Sequence, residues 1–139
     1  MIKKIISLFV AIAVFVMLFA LPVAADTRSS AYIMRTSAIL TAGTSNGKIF
    51  VDYSITGRDT MATIGVSKIV VYRSNGTVYA TYNGSVANGL MRQNALMASG
   101  TQTIYGVSGT SYYCAVTLYA GNSSGSDSRT ITTGTVTAP

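Results

Sequence analysis

The chain has 139 residues with ten basic and four acidic side chains, one cysteine, no histidine and no tryptophan. Without histidine it lacks the commonest general base near neutral pH and the commonest metal ligand, so the composition argues against an enzyme. The basic residues are scattered, which argues against a nucleic-acid partner, and a single cysteine excludes an internal disulfide.

The first 25 residues are typical of a signal peptide. Lys3 and Lys4 form a positive start, residues 5–21 are almost entirely apolar, and residues 22–25 supply the small side chains of a cleavage site. We therefore predict a signal helix that is removed after Ala25, with secretion and no stable membrane insertion afterwards. The alternative is an uncleaved membrane anchor, because the apolar run is close to the lower limit of about 17 residues for a span.

Residues 26–139 would then be the mature protein, with eight basic and four acidic side chains and a net charge of about +4. This length suits one domain with its own hydrophobic core. We predict a monomer that holds no cofactor.

Short β-type runs separated by turn residues follow one another along this domain. Such spacing predicts an all-β fold, a single antiparallel sandwich of about seven strands. Loops are predicted at 57–60 and 121–128, and the segment 85–98 is predicted to be a loop with a short turn of helix. The predicted strands are 32–42, 48–56, 64–73, 77–82, 100–105, 112–120 and 129–136.

Residues 106–120 give the clearest local signal. A glycine turn precedes a run of strict alternation, and side chains on a strand alternate between its two faces. One set is predicted to enter the core: Tyr112, Cys114, Val116 and Leu118. The other set is predicted to face outward: Tyr113, Ala115, Thr117 and Tyr119.

This segment resembles the late part of a fibronectin type III or immunoglobulin-like sandwich. The resemblance rests on Gly109, Thr110 and Tyr112, on Gly125, and on the closing run 129–133. It implies that Tyr112 forms a tyrosine corner, in which the hydroxyl bonds a backbone group between Tyr105 and Gly109.

Two features depart from that family. There is no core tryptophan, so Val51 or Tyr53 is expected to fill its space, and residues 121–128 lack the Arg-Gly-Asp tripeptide of integrin-binding modules. Over its whole length the chain also resembles a family of small, uncharacterised secreted proteins of Gram-positive bacteria. The residues behind that second resemblance are Ile64, Gly65, Lys68 and Ile69, the run 116–121, and the run 127–130.

Tyrosine is the commonest aromatic residue of the mature chain, and an array of tyrosines beside small polar residues suits the recognition of a sugar or a protein. Tyr72, Tyr79 and Tyr82 are expected on strands next to the outward tyrosines. Asn122, Ser126 and Asp127 offer oxygen ligands of the kind that calcium accepts, but one carboxylate is too few for a tight site. The candidate ligand-binding residues are Tyr113, Tyr119, Asn122, Asp127 and Arg129.

The sequence thus favours a secreted, non-catalytic binding or structural module whose partner is an unknown extracellular protein or a cell-wall polymer. A carbohydrate-binding module that uses an exposed tyrosine face is the alternative.

We predict that the secreted protein begins at Asp26, since residues 22–25 supply the cleavage site. Intact-mass analysis of protein from the culture medium measures this directly. Recovery of only the full-length chain, from membranes, would show instead that the segment is an anchor.

Overall fold

The computed structural model describes residues 29–139, and the predicted signal helix lies outside them. The described residues form seven antiparallel strands in one curled sheet and contain no helix. The strands are β1 (Ile33–Ala42), β2 (Lys48–Arg73), β3 (Val78–Asn83), β4 (Met91–Tyr105), β5 (Ser111–Asn122), β6 (Gly125–Thr132) and β7 (Val136–Thr137).

The long strand β2 divides the sheet into two halves. Residues 48–56 of β2 pair with β1 on one side and with β4 on the other, and we call these strands the three-stranded half. Residues 63–73 of β2 pair with β5 and in part with β3, and β6 pairs with β5; these strands form the four-stranded half. The start of β4 also pairs with residues 61–65 of β2 and so reaches past the bulge. Buried side chains of both halves meet in one hydrophobic cluster.

The loop predicted at 57–60 is wrong, because β2 continues through it as a bulge. Thr56 lies opposite Met97 and Met61 lies opposite Ala95, so on β4 the four residues 57–60 face only Leu96. Extra residues on one strand bend it and increase its twist. Glycine, aspartate and threonine are common in turns and in bulges, and the sequence does not distinguish the two.

The prediction for 85–98 is correct only in its first part. A turn between β3 and β4 is closed by Asn88, whose side-chain oxygen accepts hydrogen bonds from the backbone N–H groups of Ser85 (3.0 Å) and Leu90 (3.1 Å). Strand β4 then begins at Met91, where a loop with helical character was expected. The start of β4 lacks a strand-like sequence pattern because β4 pairs only with β2. Its early residues, Leu96 and Met97 included, are therefore largely exposed.

The loop predicted at 121–128 is also shorter than expected. Strand β5 runs to Asn122 and β6 begins at Gly125, which leaves two residues for the turn. The last predicted strand, 129–136, is interrupted, because β6 ends at Thr132 and Val136–Thr137 pairs separately with the start of β5.

The predicted alternation along β5 is confirmed. The four residues expected in the core are all completely buried, and the four on the other face are half-exposed. Val51 and Tyr53 are both buried in the same core.

The predicted tyrosine corner is confirmed as well. The hydroxyl of the buried Tyr112 accepts a hydrogen bond of 2.8 Å from the backbone N–H of Val107, within the expected segment. Gly106 allows the ring to approach, since a Cβ atom at that position would lie 2.7 Å from the ring. The turn before β5 is therefore held against the core by one phenol.

We expect Tyr112→Phe to lower the free energy of unfolding by about 1 to 3 kcal/mol, because it leaves the N–H of Val107 without its partner. Tyr113→Phe is the matched control, since that half-exposed ring lies one residue further on. Urea denaturation of the two variants measures the difference. Equal stabilities would contradict a structural role for the hydroxyl of Tyr112.

Candidate functional site

The outer face of the four-stranded half is the surface away from the core, and small side chains form its centre. Ala115 of β5 lies between Val70 of β2 and Thr132 of β6. In the next outward row, Thr117 lies between Lys68 and Thr130. We call these six residues the floor.

Tyrosines stand at both ends of the floor. At one end Tyr113 stacks on Tyr72, with ring centroids 5.1 Å apart and planes 16° apart. Tyr119 stands at the other end, six residues along β5 and therefore about 20 Å away. The hydroxyl of Tyr113 lies near Gly76 and that of Tyr119 near Gly121, so both rings lean away from the floor and leave it uncovered.

The floor carries hydroxyl groups and one cation. The hydroxyls of Thr117 and Thr130 lie 3.1 Å apart, and the hydroxyl of Ser67 donates to the backbone carbonyl of Thr117 (3.2 Å). Lys68 is exposed in the same row. Threonine hydroxyls both donate and accept hydrogen bonds. The surface therefore presents hydrogen-bonding groups between aromatic side chains.

Only some of the expected tyrosines belong to this face. Tyr72 does, but Tyr79 and Tyr82 pack against the core. Tyr82 lies opposite the buried Ile69 and so shares its face, and a register shift between β2 and β3 turns Tyr79 toward the ring of Tyr112. A shift of this kind exchanges the faces of a strand, and the sequence gives no sign of it.

The five candidate residues from the sequence are not brought together. Tyr113 and Tyr119 share the outer face, whereas Asp127 lies opposite Ala120 and Arg129 opposite Leu118, on the core side of β6. Asn122 has a structural role, because its side-chain oxygen accepts hydrogen bonds from the N–H (2.9 Å) and the hydroxyl (2.6 Å) of Ser124. Because β6 begins at Gly125, residues 127 and 129 lie on a strand. The alternation of that strand turns both toward the core side and away from Tyr113 and Tyr119.

Lys68 and Thr130 were not among the candidates, yet they lie at the centre of the face. Each belongs to a predicted strand with regular alternation. A short β5–β6 turn would have placed Thr130 beside Thr117, but β2 and β5 are distant in the chain, so the sequence does not indicate the position of Lys68.

The acidic groups of residues 29–139 are spread over different parts of the fold. Asp52 lies on β2 opposite Thr101, Asp59 lies in the bulge, and Asp127 lies on β6. Within these residues there is no cluster of three or more side chains suited to hold a metal ion. The same part of the chain contains no helix of the length and hydropathy needed to cross a bilayer.

Comparisons of the chain with protein-family models, with curated proteins and with solved structures give no match. The functional argument therefore depends on the geometry of the chain itself.

Cys114 is completely buried, and burial raises the pKa of its thiol from the ordinary 9.0 to about 12. We expect the folded protein to resist alkylation by iodoacetamide at pH 8 and to react once unfolded in urea, because the thiolate is the reactive form. The folded state should also lose stability as the pH rises from about 9 towards 12, since only the unfolded chain then releases this proton.

Mass spectrometry of the alkylated protein measures the reaction, with Thr130→Cys as the control for an exposed thiol on the same sheet. Labelling of Cys114 at the rate of the exposed control, without urea, would contradict its burial.

Proposed function

We propose that the chain is a secreted, non-catalytic binding module with a fibronectin type III-like sandwich fold. The order of strand pairing supports the fold. Counting the two parts of β2 as the second and third strands, the order is 1-2-5 in one half and 4-3-6-7 in the other. An immunoglobulin constant-type sandwich has the same order, except that its fourth strand joins the first sheet.

Several observations support binding over catalysis. The sequence contains no histidine, and the carboxylates of Asp52, Asp59 and Asp127 lie on separate strands or in the bulge. Acid–base catalysis and glycoside hydrolysis need such groups to converge on one substrate.

The observation that carries the proposal is the uncovered floor between the tyrosines at its two ends. Tyrosine provides a stiff contact surface at a low cost in conformational entropy, and the hydroxyls provide adaptable hydrogen bonds. The tyrosines at the two ends of the floor lie about 20 Å apart along β5, and this separation suits an extended partner. We infer that this partner is another extracellular protein or a cell-wall polymer.

Carbohydrate binding is the second candidate, and the half-exposed rings of Tyr113 and Tyr119 favour it. An aromatic ring presents a flat apolar surface to the apolar face of a sugar, while threonine hydroxyls bond the sugar hydroxyls. The two candidates use the same face and differ only in the partner.

We expect Tyr113→Ala and Tyr119→Ala each to weaken binding about tenfold, because each change removes a large aromatic contact surface. Retention on a glycan array and on purified cell-wall material measures this. Tyr105→Ala is the matched control, because this exposed tyrosine lies on β4, outside the face.

Retention on a defined polysaccharide that both variants lose would establish the carbohydrate candidate. Capture of a wall-associated protein, lost in the same two variants, would establish the protein candidate. Binding that neither variant changes would contradict a role for the outer face.

A further inference from the structure

Lys68 is the cation at the centre of the outer face of the four-stranded half. The strand register places it between Asn83 of β3 and Thr117 of β5, and Thr130 of β6 completes the row. Lys68, Asn83 and Thr130 are exposed, and Thr117 is half-buried. One ammonium group therefore stands in a row of neutral side chains that can donate and accept hydrogen bonds.

The rest of this face is neutral. The rows that adjoin the Lys68 row consist of Thr81, Val70, Ala115 and Thr132 on one side, and of Met91, Gly65, Tyr119 and Ser128 on the other. The next cation along β2, Arg73, lies opposite the buried Tyr112 and over the Tyr79 ring, on the core side. Among the described strand residues, Lys68 is thus the one charged side chain of the outer face.

The acidic side chains of residues 29–139 lie away from this face. Asp127 lies opposite Ala120, on the core side of β6, and Asp59 lies in the bulge of β2. Asp52 lies on the three-stranded half, where it accepts a hydrogen bond from Thr101. No carboxylate on the outer face compensates the charge of Lys68, so the ammonium group is available to an anionic partner.

The threonines beside Lys68 add a second requirement. The hydroxyls of Thr117 and Thr130 lie 3.1 Å apart, so one donates to the other. The pair retains one O–H donor and several acceptor lone pairs for a partner. Thr81 and Thr132 are exposed in the adjoining row. A partner with many hydroxyl groups of its own complements such a surface, because each of its hydroxyls can both donate and accept.

We propose that the outer face binds an anionic cell-wall polymer, a chain of sugar or polyol units with carboxylate or phosphate groups, and that Lys68 contacts one of these anions. This inference rests on the proposed function, since it names the partner of the same face. A neutral polymer leaves Lys68 without a counter-charge. An acidic peptide supplies the charge, but it presents amide and carboxylate groups where the threonines match hydroxyls.

Lys68 determines the choice of partner more than the strength of binding. A contact between exposed charges contributes little free energy and is screened by salt. The rings of Tyr113 and Tyr119 supply the larger contact area. Loss of the ammonium group should therefore remove the preference for an anionic polymer and leave the binding of an uncharged polymer as it is.

Isothermal titration calorimetry tests this with two anionic probes and their uncharged counterparts. The first pair is oligogalacturonate and its methyl ester, and the second is a glycerol phosphate oligomer and oligoglycerol. We expect at least one anionic probe to bind about fivefold more tightly than its counterpart, with a smaller difference at high salt. The preferred probe shows whether carboxylate or phosphate is recognised. Lys68→Gln should abolish the preference without changing the urea midpoint, since the side chain is exposed.

Arg35→Gln is the matched control, because it removes the same charge from an exposed position on β1, in the three-stranded half. This variant should keep the preference. Three results would overturn the proposal: a preference that Lys68→Gln retains, an equal loss in Arg35→Gln, or equal binding of each anionic probe and its counterpart. Tighter binding of oligoglutamate than of both anionic probes would also overturn it, because the charge would then select an acidic peptide.

Tyr113→Ala and Tyr119→Ala separate this inference from the proposed function. Suppose that both variants lose retention on purified wall material, while the unchanged protein shows no preference for either anionic probe. The outer face is then a binding surface, and only the anionic partner is wrong. If neither tyrosine variant changes retention or probe binding, the proposed function itself fails.

Discussion

The structure depends on one constraint, the continuity of β2. This strand has 26 residues and supplies hydrogen-bond partners to four of the other six strands. Its bulge at 57–60 bends the chain, so that its first part belongs to one half of the sheet and its second part to the other. Core residues such as Val51 and Val71 therefore lie on one strand and face the same cluster from different halves. The bend that lets the sheet enclose the core thus lies within β2 itself.

The close approach of the β3–β4 turn to β2 explains two glycines. The turn between β3 and β4 passes so close to β2 that a Cβ atom on Gly84 would collide with the backbone carbonyl of Val66. Gly65 has a φ of 148° and lies against the backbone of Leu90, and the N–H of Val66 donates to the Leu90 carbonyl (2.8 Å). Glycine allows such approaches because it has no side chain. The same turn carries the chain from β3 to β4 along one edge of β2, while β5 pairs with the opposite edge.

Much of the four-stranded half could be predicted from the sequence, because its strands alternate strictly and end at clear turns. The burial of Val116 and Leu118 follows from that alternation, whereas the hydrogen bond of Tyr112 is expected from the resemblance of this segment to fibronectin type III modules. The bulge in β2 could not be predicted, since residues 57–60 have the composition of a turn. Only the first part of β4 was missed, because an edge strand buries few residues; the predicted strand 100–105 is its second part. The separation of Asp127 and Arg129 from Tyr119 depends on where β6 begins.

Native-state hydrogen exchange of β2 is the most direct test of the central claim, that β2 couples the two halves into one unit. The amides of Val51 and Val71 should exchange with the same free energy of opening, equal to that of global unfolding, because both halves share one core. Val51→Ala and Val71→Ala should then lower both values together. A lower opening free energy for one half, or a variant that affects only its own half, would contradict the account.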